Sequence, residues 1–468
     1  MTEANPGRAN IGFIGAIVAV ATIGGFLFGY DSGAVNGTQE GLRSTFALGD
    51  SGLGFTVGSL LIGCFIGAFI AGRLADMFGR RNVMILAALL FLAGALVQGL
   101  AAHQPVFVIA RICGGMAVGA ASVLSPAYIS EVAPAAIRGR LTSIQQIMII
   151  IGLTIAFVVN YFLAAFAGVS TAPFWGGIAA WRWMYLMQAI PAAIFLVALL
   201  FIPESPRYLV SKGRDETAAS VLSKLFGSGV ARAKLDEIRA TFAEDHRPRL
   251  SDLKKPGGGG IRPIVWAGIM LAVFQQLVGI NVIFYYGETL WKLAGVSEAA
   301  ALQRNIISGV VSIAACLVTI AVIDKIGRKP LLLIGSAGMA LSLFTMAFAF
   351  NSGTLDSAGN LQLSHSMGLV ALIAANLYVI FFNGTWGPVM WVMLGEMFPN
   401  QIRGSALAVA GFAQWFANYL IAQSFPIMAS WSLTGAYLFY AVSAAVSFFL
   451  VLKMVRETRG KELEQMEG

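Results

Sequence analysis

The chain has 468 residues, of which 57% are hydrophobic and only 12% charged, about half the roughly 25% charged residues of a typical soluble domain. Its mean hydropathy of +0.77 excludes a water-soluble globule and a disordered chain alike. The net charge of +8 would suggest nucleic acid if it formed one patch, but the charges sit in loops between apolar runs, as in a membrane protein.

A membrane-spanning helix needs about 20 apolar residues. On that ruler the sequence predicts an all-α membrane protein of twelve transmembrane helices, at about 10–33, 53–75, 82–101, 105–126, 142–166, 181–202, 263–290, 304–323, 331–351, 368–394, 404–425 and 434–455. The first run passes any Ala-x-Ala site and reads as a retained helix, not a signal peptide. One long polar stretch divides the spans six and six. The expected organisation is an N-terminal half 1–204, a linker 205–262, a C-terminal half 263–456 and a tail 457–468. In the linker, Val221, Leu222 and Leu225, then Leu235, Ile238 and Phe242, fall at helical spacing among charges. That predicts short helices capping the bundle, with Gly257 to Gly260 as a flexible end; a plain solvated linker is the alternative.

Assigning alternate loops to alternate sides puts 26 of the 31 Lys and Arg on one side and only Arg43, Lys292 and Arg304 on the other, with Arg111 and Arg182 in or at the edge of spans. The basic side is then cytoplasmic, with both termini inside. Cys64, Cys113 and Cys316 all lie in apolar runs, and His103, His246 and His365 are scattered. No disulfide framework, metal site, Walker-A loop or dinucleotide fingerprint is visible, so no cofactor or metal is expected. Without a nucleophile–base pair, an enzyme is not expected either.

The two halves echo each other. Glu131, Pro134, Arg138 and Gly139 recur as Glu396, Pro399, Arg403 and Gly404; Asp76, Gly79, Arg80 and Arg81 recur as Asp324, Gly327, Arg328 and Lys329; Glu204 of PESPR corresponds to Glu457 of RETRG. Three charged motifs repeated in one order imply two homologous six-helix halves. All lie on the basic side. Acidic partners at repeated positions read as a cytoplasmic gate, in which Asp76 and Asp324 pair with Arg residues of neighbouring loops when that side is closed and part when it opens. The plainer reading is topogenic charge.

With GGFLFGYD (24–31), GRLADMFGRR (72–81), RICGGMAVG (111–119), PESPR (203–207), FQQLVGIN (274–281), WGPVMW (386–391) and EMFPNQIRG (396–404), the chain resembles a sugar porter of the major facilitator superfamily. The resemblance runs from Gly24 to Glu464. It implies alternating access between two halves around a midplane site, and a monosaccharide substrate.

On span 7, Gln275, Gln276 and Asn281 offer amides, which give donors and acceptors to sugar hydroxyls without charge. In a straight helix Gln276 and Asn281 lie about 140° apart. They converge only if the helix breaks, which Gly279 permits. A lone Gln in a span is more often interhelical glue. By resemblance, Gln146 and Gln414 are further sugar ligands and Trp391 packs on the sugar ring. Asn418 shares the Gln414 face at i, i+4. Phe28, Tyr285, Tyr286 and Trp415 are further candidates, although span aromatics are usually packing. Gly384, Gly387 and Pro388 weaken span 10 and suggest a gate.

Of the 23 acidic residues, Asp31 alone is expected well inside an apolar run, and Arg111 is the isolated cation. An intramembrane charge costs roughly 2.5–3.5 kcal/mol on insertion scales, so the two are expected to pair. Protonating Asp31 would remove its attraction to Arg111, which makes the pair a proton-coupling device; a static ion pair is the alternative. By resemblance, an Asp at this place marks proton symporters. Two departures stand out. Ser312 occupies the place of the family's usual Asn on span 8, and Arg456 replaces a Pro.

The expected function is import of a monosaccharide, such as the hexose glucose, with a proton by alternating access. The alternatives are an uncoupled sugar facilitator, a proton-driven drug antiporter, and a non-transporting sugar receptor, which would carry a long cytoplasmic tail. Expected partners are the sugar, the proton and the lipid bilayer, without nucleic acid. A monomer in a bacterial inner membrane, as a multi-pass protein, is expected.

Overall fold

The computed structural model describes residues 10–134, 138–244, 250–255, 260–293, 295–355 and 361–458. Among these, twelve helices are long and apolar enough to cross a membrane. Spans 1–6 are Ile11–Asn36, Asp50–Phe78, Arg80–Leu100, Gln104–Val132, Ile144–Ala167 and Ala180–Leu199. Spans 7–12 are Pro263–Lys292, Glu298–Ile326, Arg328–Asn351, His365–Met397, Ile402–Trp431 and Leu433–Met454. A helix satisfies its own backbone polar groups, which hydrocarbon cannot do for it. Small residues then let the spans approach. A Cβ on Gly29 of span 1 would sit 1.8 Å from the Ile149 carbonyl oxygen of span 5. With no hydrophobic force between helices in lipid, such close packing is what holds them together.

The halves repeat one packing pattern. Span 1 packs on span 5, span 2 on span 4 and span 3 on span 6; span 7 packs on span 11, span 8 on span 10 and span 9 on span 12. The halves meet along spans 2 and 11 and along spans 5 and 8, again a symmetric pair, and where span 1 meets span 7.

That junction is not closed evenly. Hydrogen bonds between the halves cluster at the face opposite the basic loops. Asn36 Nδ2 donates to the Phe284 carbonyl at 2.9 Å, and Asn36 Oδ1 accepts from Asn305 Nδ2 at 2.7 Å and from the Glu288 N–H at 3.1 Å. Gln39 donates to the Tyr285 carbonyl, Lys292 Nζ reaches Glu40 Oε2 at 3.1 Å, and Gln423 Nε2 donates to the Ser51 carbonyl at 3.1 Å. Deeper in, the Phe65 and Phe412 rings of spans 2 and 11 lie 5.6 Å apart.

On the basic face, helices Pro206–Ser211, Asp215–Phe226 and Ser228–Glu244 follow span 6. Val221, Leu222, Leu225 and Leu235 are buried and Ile238 is half-buried, so these helices pack apolar faces instead of forming a solvated linker. The Asn10 N–H donates to the Leu225 carbonyl at 2.8 Å, tying them to the start of span 1. The Phe242 side chain and Gly257 to Gly259 lie outside the described residues. Two elements of the opposite face went unforeseen: a helix at Gln39–Phe46, and antiparallel strands Thr354–Leu355 and Leu361–Gln362.

Two spans are irregular. Span 7 is two helices, Pro263–Leu277 and Ile280–Leu293, separated at Gly279 with φ +84°. A side chain disfavours that left-handed region. Span 10 contains a π-helical turn at Phe382–Trp386, the kind of local bulge that tends to occur at functional sites.

Candidate functional site

The break in span 7 turns Gln276 and Asn281 toward each other. Asn281 Nδ2 donates to Gln276 Oε1 at 2.5 Å, and Gln276 Nε2 donates to Gln275 Oε1 at 3.1 Å. The same Gln275 Oε1 accepts from Gln414 Nε2 of span 11 at 2.9 Å. Gln275 Nε2 in turn points at the Trp386 and Gly387 carbonyls of span 10, at 3.4 and 3.5 Å. Four of the anticipated amides thus form one chain across spans 7, 10 and 11. Gln414 Oε1 and Asn418 Oδ1 are buried without a hydrogen-bond partner, while Asn418 Nδ2 faces the Tyr285 hydroxyl at 3.4 Å. Unfilled buried acceptors are costly. A ligand bearing hydroxyl donors would satisfy them.

The aromatic candidates fall into two groups. Phe28 of span 1 meets Trp415 of span 11 edge-on, with ring centroids 5.4 Å apart, so it links the halves beside Gln414. Tyr286 is fully buried and donates to the Ala422 carbonyl at 2.6 Å, which makes it packing within the second half. Gln146 is half-buried on span 5 and Trp391 is 39% exposed, one turn beyond Gly387; neither side chain joins the hydrogen-bonded amide cluster.

Asp31 and Arg111 are both buried, at 1% and 2% exposure, with Arg111 NH2 3.5 Å from Asp31 Oδ2. The pairing is loose. Arg111 also donates to Gln98 Oε1 at 3.3 Å and to the Val57 carbonyl at 3.2 Å. A cation that already holds two neutral acceptors is not stranded when its carboxylate is neutralised. Asp31 lies one helical turn from Phe28, so the pair is close in the chain to the contact that reaches span 11.

The charged motifs on the basic face resolve into two copies of one device. Gly79 has φ +100° and no Cβ; one built there would lie 2.2 Å from Glu204 Oε2. The gap lets Glu204 Oε1 accept from the Arg80 and Arg81 N–H groups at 3.0 and 3.2 Å, capping span 3. Gly327 and Glu457 repeat this at the Arg328 and Lys329 N–H groups, at 3.0 and 2.9 Å. A carboxylate at a helix N-terminus is favoured by the orphan N–H groups and the helix dipole. Arg80 then pairs with Glu131 at 3.2 Å and Asp76 at 2.9 Å, and Arg328 with Glu396 at 2.8 Å and Asp324 at 3.0 Å. Ser205 donates to Glu131, as Thr458 Oγ1 does to Glu396 at 2.6 Å.

Asp76 and Asp324 pair at i, i+4 within their own halves, not across the junction between the halves. Arg403 donates to the Phe398 carbonyl at 3.1 Å, and the Arg138 side chain lies outside the described residues.

Sequence reasoning missed three polar residues. Glu288, on the second part of span 7, is 1% exposed, so Asp31 is not alone as a buried acid. Asn36 is the hub of the junction between spans 1, 7 and 8. Asn383, in the π-turn, donates to Ser312 Oγ at 3.1 Å, while Ser312 donates to the Ser308 carbonyl at 2.7 Å. An amide therefore stands beside Ser312, but it comes from span 10. For Asn36 and Glu288 the available signal was a polar residue at the edge of an apolar run, and for Asn383 an amide inside one.

Two six-span halves, with a mid-span amide cluster in the second and a buried acid–base pair in the first, define a multi-pass membrane transporter of the major facilitator fold. The chain belongs to the sugar transporter family: the family model described as "Sugar (and other) transporter" matches residues 17–468. This is a family of transporters, not enzymes. The chain is 47% identical over 460 residues to the glucose transport protein of Synechocystis sp., covering 98% of both chains. It is 39% identical over 492 residues to the D-xylose-proton symporter of Escherichia coli K12, covering 98% of this chain and 96% of that one. Its fold matches an inward-open structure of the xylose transporter XylE from E. coli, with a TM-score of 0.82, 38% identity and coverage of 97% and 99%.

Proposed function

We propose that this protein imports a monosaccharide together with a proton by alternating access. The observation that carries the coupling is the buried Asp31–Arg111 pair, held at 3.5 Å one turn from the Phe28–Trp415 contact between the halves. Asp31 is the proton carrier. When ionised it attracts Arg111 on span 4; when protonated it releases Arg111 to Gln98 and the Val57 carbonyl. Because Phe28 shares span 1 with Asp31, a shift of that helix is felt at the sugar site.

The sugar binds among Gln146, Gln275, Gln276, Asn281, Gln414 and Asn418, with Phe28 and Trp391 offering apolar faces to the ring. Its hydroxyls replace the amide-to-amide hydrogen bonds of the cluster and donate to the unpartnered Gln414 Oε1 and Asn418 Oδ1. A hexose such as glucose is the preferred substrate, a reading supported by the 47% identity to a protein named as a glucose transporter.

The halves 1–204 and 263–456 move as bodies, joined by the helical segment 205–262. The basic face is cytoplasmic, so both termini lie inside and the Asn36 face is external, in a bacterial inner membrane. The structure is then closed outside. The Glu204 and Glu457 caps keep each half rigid at its cytoplasmic end, with the 457–468 tail beyond the second. The working unit is a monomer in the bilayer. Uptake of labelled D-glucose into proteoliposomes, with D-xylose and L-arabinose as competitors, tests the substrate assignment. Saturable glucose uptake is expected, weakly inhibited by either pentose; preferential uptake of a pentose would move the assignment.

A further inference from the structure

Away from the amide site, the halves enclose a cavity on the outer face. Its volume is about 470 Å³, within the roughly 300–1,000 Å³ of small-molecule sites. Residues of both halves line it, among them Glu40 from the first and Glu288, Lys292 and Phe425 from the second. It is therefore complete only while the outer face is shut.

Its charges are mostly but not fully satisfied. Arg43 pairs with Asp50 at 2.6 Å, and Lys292 pairs with Glu40 at 3.1 Å and reaches Glu288 Oε1 at 3.8 Å. Glu298 Oε1 accepts from the Ser170 N–H at 2.7 Å. Glu288 is 1% exposed, and its Oε2 has no hydrogen-bond partner. A buried carboxylate oxygen without a donor is costly, so the chamber lacks a donor that a ligand can bring.

The lining selects the class of ligand. A bare divalent cation needs six or more oxygens at close range, and no three acidic, His or Cys residues converge for a metal among the described residues. A polyhydroxyl ring fits better. One hydroxyl donates to Glu288 Oε2, others accept from Lys292, and the C–H face lies against the half-buried apolar lining at Val296 and Ala429. We propose that this chamber is a second monosaccharide-binding site, on the outer face, distinct from the amide site. It rests on the sugar-import reading above. A sugar held there bridges both halves and keeps the outer face shut, so high external sugar slows its own uptake.

The test is equilibrium dialysis of the purified full-length protein with radiolabelled D-glucose, repeated with D-xylose. Two classes of site are expected. Gln276→Ala should weaken the first and leave the second. Glu288→Gln should weaken the second several-fold, because a charged acceptor gives way to a neutral amide with one acceptor position fewer, and leave the first. Ala429→Trp fills the chamber without touching a charge and should abolish the second class, while an intact first class reports a folded protein. One class of site in the wild type, lost in Gln276→Ala, overturns the second site and leaves the sugar reading standing. A second class that survives both Glu288→Gln and Ala429→Trp overturns its placement in the chamber. Binding of neither sugar overturns both readings.

Discussion

Asn281 donates to Gln276 Oε1 at 2.5 Å, although on an unbroken helix the two residues would face about 140° apart. Gly279 makes the difference, at φ +84° and with Tyr440 Cγ only 2.7 Å from where a Cβ would stand. Gly279→Ala should therefore cost roughly 1–2 kcal/mol from the left-handed backbone alone, with the displacement of Tyr440 added. The purified variant is expected to melt at a lower temperature and to bind sugar more weakly. An unchanged Tm and affinity would mean that the bend does not depend on glycine.

Gln276 sits at the centre of the amide chain. Truncating it to Ala should weaken sugar binding about tenfold or more, by the loss of one or two hydrogen bonds. Membrane insertion and Tm should be close to wild type, since Gln275 keeps its bond to Gln414. Binding measured by intrinsic fluorescence decides this, and an unaltered affinity would remove Gln276 from the site.

Glu204 and Glu457 cap equivalent helices, so their loss should be felt equally. Each change to Ala is expected to destabilise by about 0.5–2 kcal/mol, the usual worth of an N-cap. Changes to Gln should cost less, because one acceptor remains and only the charge is lost. Thermal shifts on the four variants provide the comparison; a large effect at one site and none at the other would break the symmetry argument.

Asn36 joins spans 7 and 8 to span 1 with bonds of 2.9, 3.1 and 2.7 Å. Asn36→Ala should open the outer face more often. In a cysteine-free background carrying Ser32→Cys, an impermeant thiol reagent added outside should label faster in the Asn36→Ala variant. Equal labelling rates would show that the closure is held elsewhere.

Much of the architecture was legible in the apolar runs, because a span must be about 20 residues long and must hide its polar groups. The paired halves were legible in charged motifs, since Gly79 and Gly327 serve the same purpose, admitting the Glu204 and Glu457 carboxylates. The partners of Asp76 and Asp324 were not. A motif shows that acid and base are both needed, but not whether they close within a half or between halves. The break at Gly279 could be anticipated from the geometry of Gln276 and Asn281. Glu288 escaped notice because it lies near the end of an apolar run, where a charge ordinarily reaches water; here the closure of span 1 over span 7 buries it. Asn383 escaped because a π-turn, not a regular helix, carries it toward Ser312.

The central claim is that Asp31 couples sugar movement to the proton. The most direct measurement is labelled D-glucose uptake into proteoliposomes with and without an imposed inward proton gradient, for the wild type and Asp31→Asn. The account predicts accumulation above equilibrium in the wild type only with the gradient. It predicts no accumulation in Asp31→Asn, which should still exchange internal for external sugar. Accumulation retained by Asp31→Asn, or wild-type uptake that only equilibrates with or without the gradient, would contradict it and leave Asp31 and Arg111 as a structural pair in an uncoupled facilitator.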